Sequence, residues 1–311
     1  MGIGVLAAIL VVADVGLSLR ESEGLIWRER SFFGVLRVME TGDGDTRQRL
    51  LRHGSTAHGL QFLEPPKMRF PTSYYGRVTP LGAWMFMRAP ESKRRIGVVG
   101  LGVGTIAAYG RPGDLIRFYE IDPGVVHVAG PDGLYRYLSD SAATVEVELG
   151  DARLALEEEQ AEGRRQDFDL LVIDAFSSDS IPAHLMTQEA FEGYRAALAD
   201  SGMIAVHVSN RHLQLKNVVS RLFGSIGFSS VHLSTYAVPR YQSKRTDWVF
   251  ASERPVQLID LQIALGKLHQ RFHLGENSYQ VSRLRSSELE SIPLWTDDFA
   301  NLFGVLKPLR P

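Results

Sequence analysis

Residues 95–122 read RIGVVGLGVGTIAAYGRPGDLIRFYEID, and this stretch decides the fold. An apolar run, Ile96 to Val99, leads into glycines at alternate positions, Gly100, Gly102 and Gly104. A short small-residue helix is expected next, then a second apolar strand, Leu115 to Tyr119, ending on Glu120 and Asp122. Strand, glycine turn, helix, strand and acid is how an open parallel sheet holds an adenosine-containing ligand. The glycines let the backbone approach the ligand, and the acid accepts the ribose hydroxyls.

Working outward, helix and strand continue to alternate. Pro123 to Ala129 opens a helix, Thr144 to Glu148 a third strand, and Leu154 to Gly163 a charged, solvent-facing helix. Phe168 to Ile173 is almost wholly apolar, as expected of a strand covered on both faces. A helix from Thr187 to Leu198, a strand from Met203 to Val208 and a helix from Val218 to Ile226 follow. Ser230 to Ala237 and Asp247 to Ala251 then form two β runs with no helix between them. Such a terminal hairpin is typical of a methyltransferase-type sheet. A nicotinamide-binding sheet does not usually carry it, and Thr105 stands where its third small residue should be.

Upstream, the pattern from Leu25 to Leu63 is β, with apolar runs at Phe32–Val38, Arg47–His53 and Gly59–Leu63 and a dense turn signal at Thr41–Asp45. Pro80 to Met87 suits a helix. The expected organisation is an apolar segment over 1–24, a small antiparallel β-sheet domain over 25–76 and an α/β, Rossmann-like domain of class I methyltransferase type over 77–311. Residues 3–18 are apolar but carry Asp14, and fewer than the roughly 20 apolar residues of a spanning helix are present. The segment reads as the tail or remnant of a membrane helix, with Arg20, Arg28 and Arg30 on the cytoplasmic side.

Composition narrows the chemistry. In 311 residues, 44% hydrophobic and 23% charged, 34 basic side chains face 36 acidic ones for a net charge of −2. That balance advertises no nucleic-acid partner. The chain has no cysteine, which excludes disulfides, thiolate metal sites and cysteine nucleophiles and fits a cytoplasmic location. His269 and His273 have helical spacing, but Gln270 stands where a zinc helix would need glutamate, so no metal is expected.

The acids fall at strand ends. Glu120 suits the ribose hydroxyls, and Asp151, followed by Ala152, suits an adenine amino group. Asp174 ends a buried strand and is the residue expected to do chemistry, receiving a proton from an attacking amine. Asp179 adds a second negative charge in the same loop. With Tyr74 or Tyr75 these acids would form a pocket for a cation, and His207 and Asn210 are placed to line it. Trp295 to Phe299 reads as a docked tail.

Taken in order, several pieces resemble the spermidine synthase (aminopropyltransferase) family over roughly residues 30–250, and more closely its bacterial versions in which such a domain follows a membrane region. The pieces are His58-Gly59-Leu60-Gln61, Tyr74-Tyr75, the Gly100-Gly102-Gly104 turn, Glu120-Ile121-Asp122, Gly150-Asp151-Ala152 and the Asp174 loop. The resemblance implies a dimer that binds decarboxylated S-adenosylmethionine through Glu120 and Asp151. In it Asp174, with Tyr75 beside it, takes the proton when a polyamine nitrogen attacks, and Gln61 and Tyr74 or Tyr75 contact the substrates. The chain departs from the family's pattern at Val103, where an aspartate would hold the donor's ammonium. It departs again at Tyr74-Tyr75-Gly76 and in the lengthened loop from Asp174 to Pro182. Val103 leaves transfer from intact S-adenosylmethionine open, as a methyl or aminocarboxypropyl reaction, and a non-catalytic nucleoside- or polyamine-binding domain is a further reading.

Overall fold

The β pattern after residue 24 resolves into four antiparallel strands, β1 (Leu25–Ser31), β2 (Gly34–Thr41), β3 (Gln48–His53) and β4 (Thr56–Phe62), laid side by side in chain order. The structure is a computed structural model that describes residues 23–54, 56–87, 91–175, 182–210 and 212–307. Residues 1–22, most of the apolar N-terminal segment, lie outside the described residues, and so does Asp179. Among the described residues no helix is long and apolar enough to cross a membrane.

The run expected from Phe32 to Val38 is divided. Phe32 and Phe33 form the turn between β1 and β2, and Phe32 is 96% exposed. Gly34 explains the break: its φ is +136°, and a Cβ there would lie 2.4 Å from His53 Nε2. Leu36 and Val38, two residues apart on one face of β2, are fully buried with Leu51, the register partner of Val38. They join the core beneath the second sheet's near face.

That second sheet has eight strands in the order β12-β10-β11-β9-β8-β5-β6-β7. β5 (Arg95–Val99), β6 (Leu115–Glu120), β7 (Thr144–Leu149), β8 (Phe168–Ile173) and β9 (Leu198–His207) run parallel. β11 (Thr246–Ser252) is antiparallel to β9 and to β10 (Ser229–Thr235), so the expected terminal hairpin is present. A short edge strand not read from the sequence, β12 (Tyr279–Ser282), extends it. The strand order reverses at β5, which pairs β6 on one side and β8 on the other. In open sheets ligands bind in the crevice at such a reversal, beyond the carboxyl ends of the strands.

Helices cover both faces, which is why β8 reads as one apolar run. Leu170 and Val172 point into one core with α1 (Pro80–Met87), α2 (Pro123–Ala129) and α6 (Pro255–Arg271). Phe168, Leu171 and Ile173 point into the other, with α3 (Ala152–Ala161), α4 (Gln188–Ala196) and α5 (Leu215–Ser225). The helix expected after the glycine turn is instead a 3-10 turn, Thr105–Tyr109, cut short by Gly110 and Pro112. Helix α6 was not expected, although Leu258, Leu261, Leu265 and Leu268 mark its buried face at helical spacing. A last short helix, α7 (Ser286–Glu290), precedes the tail. There Trp295 is buried in the far core and accepts a hydrogen bond from Gln188 N at 2.9 Å, while Asp297 pairs with Arg153.

Candidate active site

The carboxyl ends of β5, β6, β7 and β8 open on one cleft of about 1050 Å³, counting its mouth, closed on the other side by Phe33, His53 and His58 of the small sheet. Gly100 and Gly102 form its floor. Gly100 has φ +97°, and a Cβ there would meet the Asp174 carbonyl oxygen at 2.5 Å, so only glycine lets the turn pass so close to β8. Gly104 instead serves packing, because a Cβ there would lie 2.0 Å from Leu138 Cδ1.

Asp174 follows β8 directly, and its backbone N–H donates to Val99 O at 2.9 Å. Its carboxylate lines the cleft and is held from both sides. Tyr75 Oη donates to Oδ2, and His207 Nδ1 lies 2.7 Å from Oδ1. Burial, reinforced by the negative charge of Asp174, pushes the Tyr75 phenol well above its usual range, so Tyr75 keeps its proton and donates. Tyr74 is shifted the same way for the same reasons. The Tyr74 ring stacks on His207 with centroids 4.4 Å apart and 17° between planes.

The other acids are tied down by the chain around them. Glu120 accepts from Leu101 N and Asp122 N, both at 2.9 Å, which points its carboxylate under the glycine turn. Burial raises its pKa above the ordinary carboxylate value. Asp151 caps α3 through Oδ1, accepting from Arg153 N and Leu154 N, while Oδ2 faces His184 Nε2 at 2.8 Å. Ala152 opens that helix beside it and also lines the cleft. Asp122 lines the cleft too, but both of its oxygens serve the fold. Oδ1 caps α2 through Gly124 N at 2.9 Å, and Oδ2 accepts from Ser31 Oγ at 2.7 Å, tying β1 to the second sheet.

Three expected contacts are not brought to the cleft. Gln61 is 2% exposed, and its amide is spent on Met68 O at 2.9 Å and Arg136 N at 2.8 Å, which brace the small sheet against the loop before β7. Asn210 turns back on its own loop, accepting from His212 N and Leu213 N, both at 2.8 Å. His207 is 5% exposed and sits behind Asp174. Conversely, the structure places His53, His58 and His184 on the cleft wall, where the sequence reading assigned no role. Only His58 had a signal, its place in the His58-Gly59-Leu60-Gln61 piece. Val103, at the place of the family's aspartate, is 1% exposed and packs on the Cα of Gly59, where a Cβ would lie 2.5 Å from Val103 Cγ2. His269 Nδ1 and Nε2 face Ser278 Oγ at 2.6 Å and Val78 O at 2.8 Å, a structural placement. Among the described residues no group of three or more His, Asp or Glu side chains is placed to hold a metal ion.

The sequence and the fold have known counterparts. In sequence the chain is 30% identical over 193 residues to the polyamine aminopropyltransferase of Vibrio vulnificus (strain CMCP6), covering 59% of this chain and 58% of that protein. In structure it matches a probable spermidine synthase from Corynebacterium glutamicum with a TM-score of 0.60 at 16% identity, over 90% of this chain and 98% of that one. Its fold is spermidine synthase-like. It also matches the N-terminal histidine N-methyltransferase of Emericella nidulans, at 26% identity over 215 residues, 63% of this chain and 35% of that protein. The chain therefore spans less than two thirds of the length of these curated relatives. No protein-family model matches it. The chain sets a small antiparallel sheet before a mostly parallel one, with the cleft lined by both.

Proposed function

We propose that the protein is an aminopropyltransferase, moving an aminopropyl group from decarboxylated S-adenosylmethionine to a di- or polyamine and releasing methylthioadenosine. The observation that carries this reading is the Asp174 carboxylate, open to the cleft and oriented by Tyr75 and His207 beside the glycine turn. In this reading Glu120 accepts the ribose hydroxyls and Asp151 the adenine amino group, while Gly100 and Gly102 admit the nucleoside at backbone distance. The acceptor arrives as an ammonium, and Asp174 holds it and takes one proton. The freed nitrogen lone pair attacks the aminopropyl carbon, a C–N bond forms and the C–S bond breaks. The bonding pair goes to sulfur, turning the sulfonium into a neutral thioether. Tyr75, kept protonated by burial, fixes Asp174 through the step and does not compete for the proton. A homodimer is part of the same reading.

One observation favours a second reading, transfer from intact S-adenosylmethionine. Val103 is withdrawn into the packing against Gly59, so the glycine turn itself presents no carboxylate to a donor ammonium. Calorimetry of the protein with S-adenosylmethionine, its decarboxylated form and methylthioadenosine, each with and without putrescine, separates the two. Tighter binding of the decarboxylated donor, strengthened by the amine, supports aminopropyl transfer. Preference for the intact donor supports the second reading, and binding of none of the three refutes both.

A further inference from the structure

We infer that His207 is the positioning residue for the reaction: it donates an Nδ1–H hydrogen bond to Asp174 and sets the direction in which that carboxylate meets the acceptor. The inference deepens the aminopropyltransferase reading and rests on it for the identity of the reaction.

Three elements converge on this imidazole. β8 and β9 are parallel, and Ile173 pairs with Val206, so the next residues along each strand, Asp174 and His207, are neighbours at the sheet's carboxyl edge. On the other side of β9, Trp248 of β11 is the register partner of His207, with ring centroids 4.8 Å apart. Above, Tyr74 stacks on the imidazole at 4.4 Å, a residue from the segment that joins the two sheets. The ring is therefore held in one plane by two aromatic side chains. Its one degree of freedom that matters chemically is which nitrogen carries the proton.

The contact with Asp174 decides that. An ionised carboxylate only accepts, so a neutral His207 must carry its proton on Nδ1, 2.7 Å from Oδ1. Tyr75 covers the other oxygen, Oδ2. The protein thus holds the carboxylate at both oxygens. Two donors from opposite sides also stop the carboxylate from turning. His207 does not line the cleft itself, so it acts through Asp174. A one-residue change at this point would leave the nucleoside end untouched, because Glu120 and Asp151 hold their positions through bonds of their own.

The test uses the full-length protein with two substitutions. His207→Phe keeps an aromatic ring between Tyr74 and Trp248 but has no donor, whereas His207→Asn places an amide N–H near the position of Nδ1. Losing one hydrogen bond to a charged group should lower kcat in His207→Phe by about 10- to 100-fold, with KM for the nucleoside donor unchanged. His207→Asn should recover most of that loss. Equal loss in both variants, or loss of methylthioadenosine affinity in step with kcat, would show that the residue merely packs and would overturn the inference. Nitrogen-15 spectra of the imidazoles give a readout that needs no turnover: His207 should be the Nδ1-protonated tautomer, and its signal should move in Asp174→Asn. An Nε2-protonated His207 overturns the inference. Absence of turnover in the unsubstituted protein, with the Nδ1 tautomer present, refutes the aminopropyltransferase reading and leaves the positioning geometry standing.

Discussion

Replacing Asp174 with Asn removes the proposed base while keeping its size, and the structure sets what else must change. The carboxylate receives one bond from Tyr75 Oη and one from His207 Nδ1. An amide can accept only one of them. Its oxygen can stay on His207, and its NH2 must then donate to Tyr75, whose hydroxyl can reverse and accept. Two charge-assisted bonds become neutral ones, a loss of about 1 kcal/mol each. Removing a buried charge offsets part of this, so stability should change by less than about 2 kcal/mol. Turnover should respond far more. General-base catalysis is worth roughly 10²- to 10⁴-fold, and kcat should fall within that range. Methylthioadenosine release, followed chromatographically at saturating donor and amine, measures the effect. Calorimetric binding of methylthioadenosine should be unchanged, because the Glu120 and Asp151 bonds do not involve Asp174. A variant that turns over within threefold of the parent would refute the base role. A variant that loses the nucleoside as well would show that Asp174 holds the cleft's shape instead.

Three further outcomes are expected. Burial raises the Glu120 pKa, so acidification should protonate it before exposed carboxylates and weaken methylthioadenosine binding; Glu120→Gln should flatten that pH dependence and cost about 10- to 150-fold in affinity, and an unchanged profile by calorimetry would refute the ribose role. Val103→Asp should destabilise the fold by several kcal/mol, because the new carboxylate would be buried against Gly59; a variant as stable to denaturant as the parent, and tighter for the decarboxylated donor, would show that the turn can still present an acid there. The hydrogen bond from Arg153 holds the Asp297 carboxyl at about 2, below its ordinary 3.8, so the stabilisation it lends the docked tail is present above about pH 4 and lost as the pH falls through 2. Asp297→Asn should therefore lower stability at neutral pH by under about 1 kcal/mol for a half-exposed pair, seen as a slightly lower melting temperature, and the gap from the parent should close below pH 2; a gap that persists there would refute the ion-pair account.

Much of the fold was legible because its signals are local. A strand covered on both faces must be apolar throughout, so β5 and β8 could be read residue by residue. Backbone so close to a neighbouring carbonyl that a Cβ would lie 2.5 Å from it requires glycine, and Gly100 announced the turn. The acids at strand ends were legible for the same reason, since a parallel sheet brings its carboxyl ends to one edge whatever the helices do. Helix α6 shows a signal present but not taken up: its leucines recur at helical spacing, though no glycine or acid drew attention to them.

What the sequence by itself determined is the α/β order, the glycine turn and the group of acids Glu120, Asp151 and Asp174 at one sheet edge. Tertiary structure alone decided which polar side chains face the cleft and which are consumed by the fold. Gln61 and His207 looked alike as candidates, yet one amide is spent on Met68 and Arg136 and the other ring is clamped behind Asp174. Hydrogen-bond partners come from residues distant in the chain, 75 positions for Gln61 and Arg136 and 33 for His207 and Asp174. A buried polar group must find such a partner somewhere, and where it finds one depends on the packed sheets and not on its neighbours in sequence.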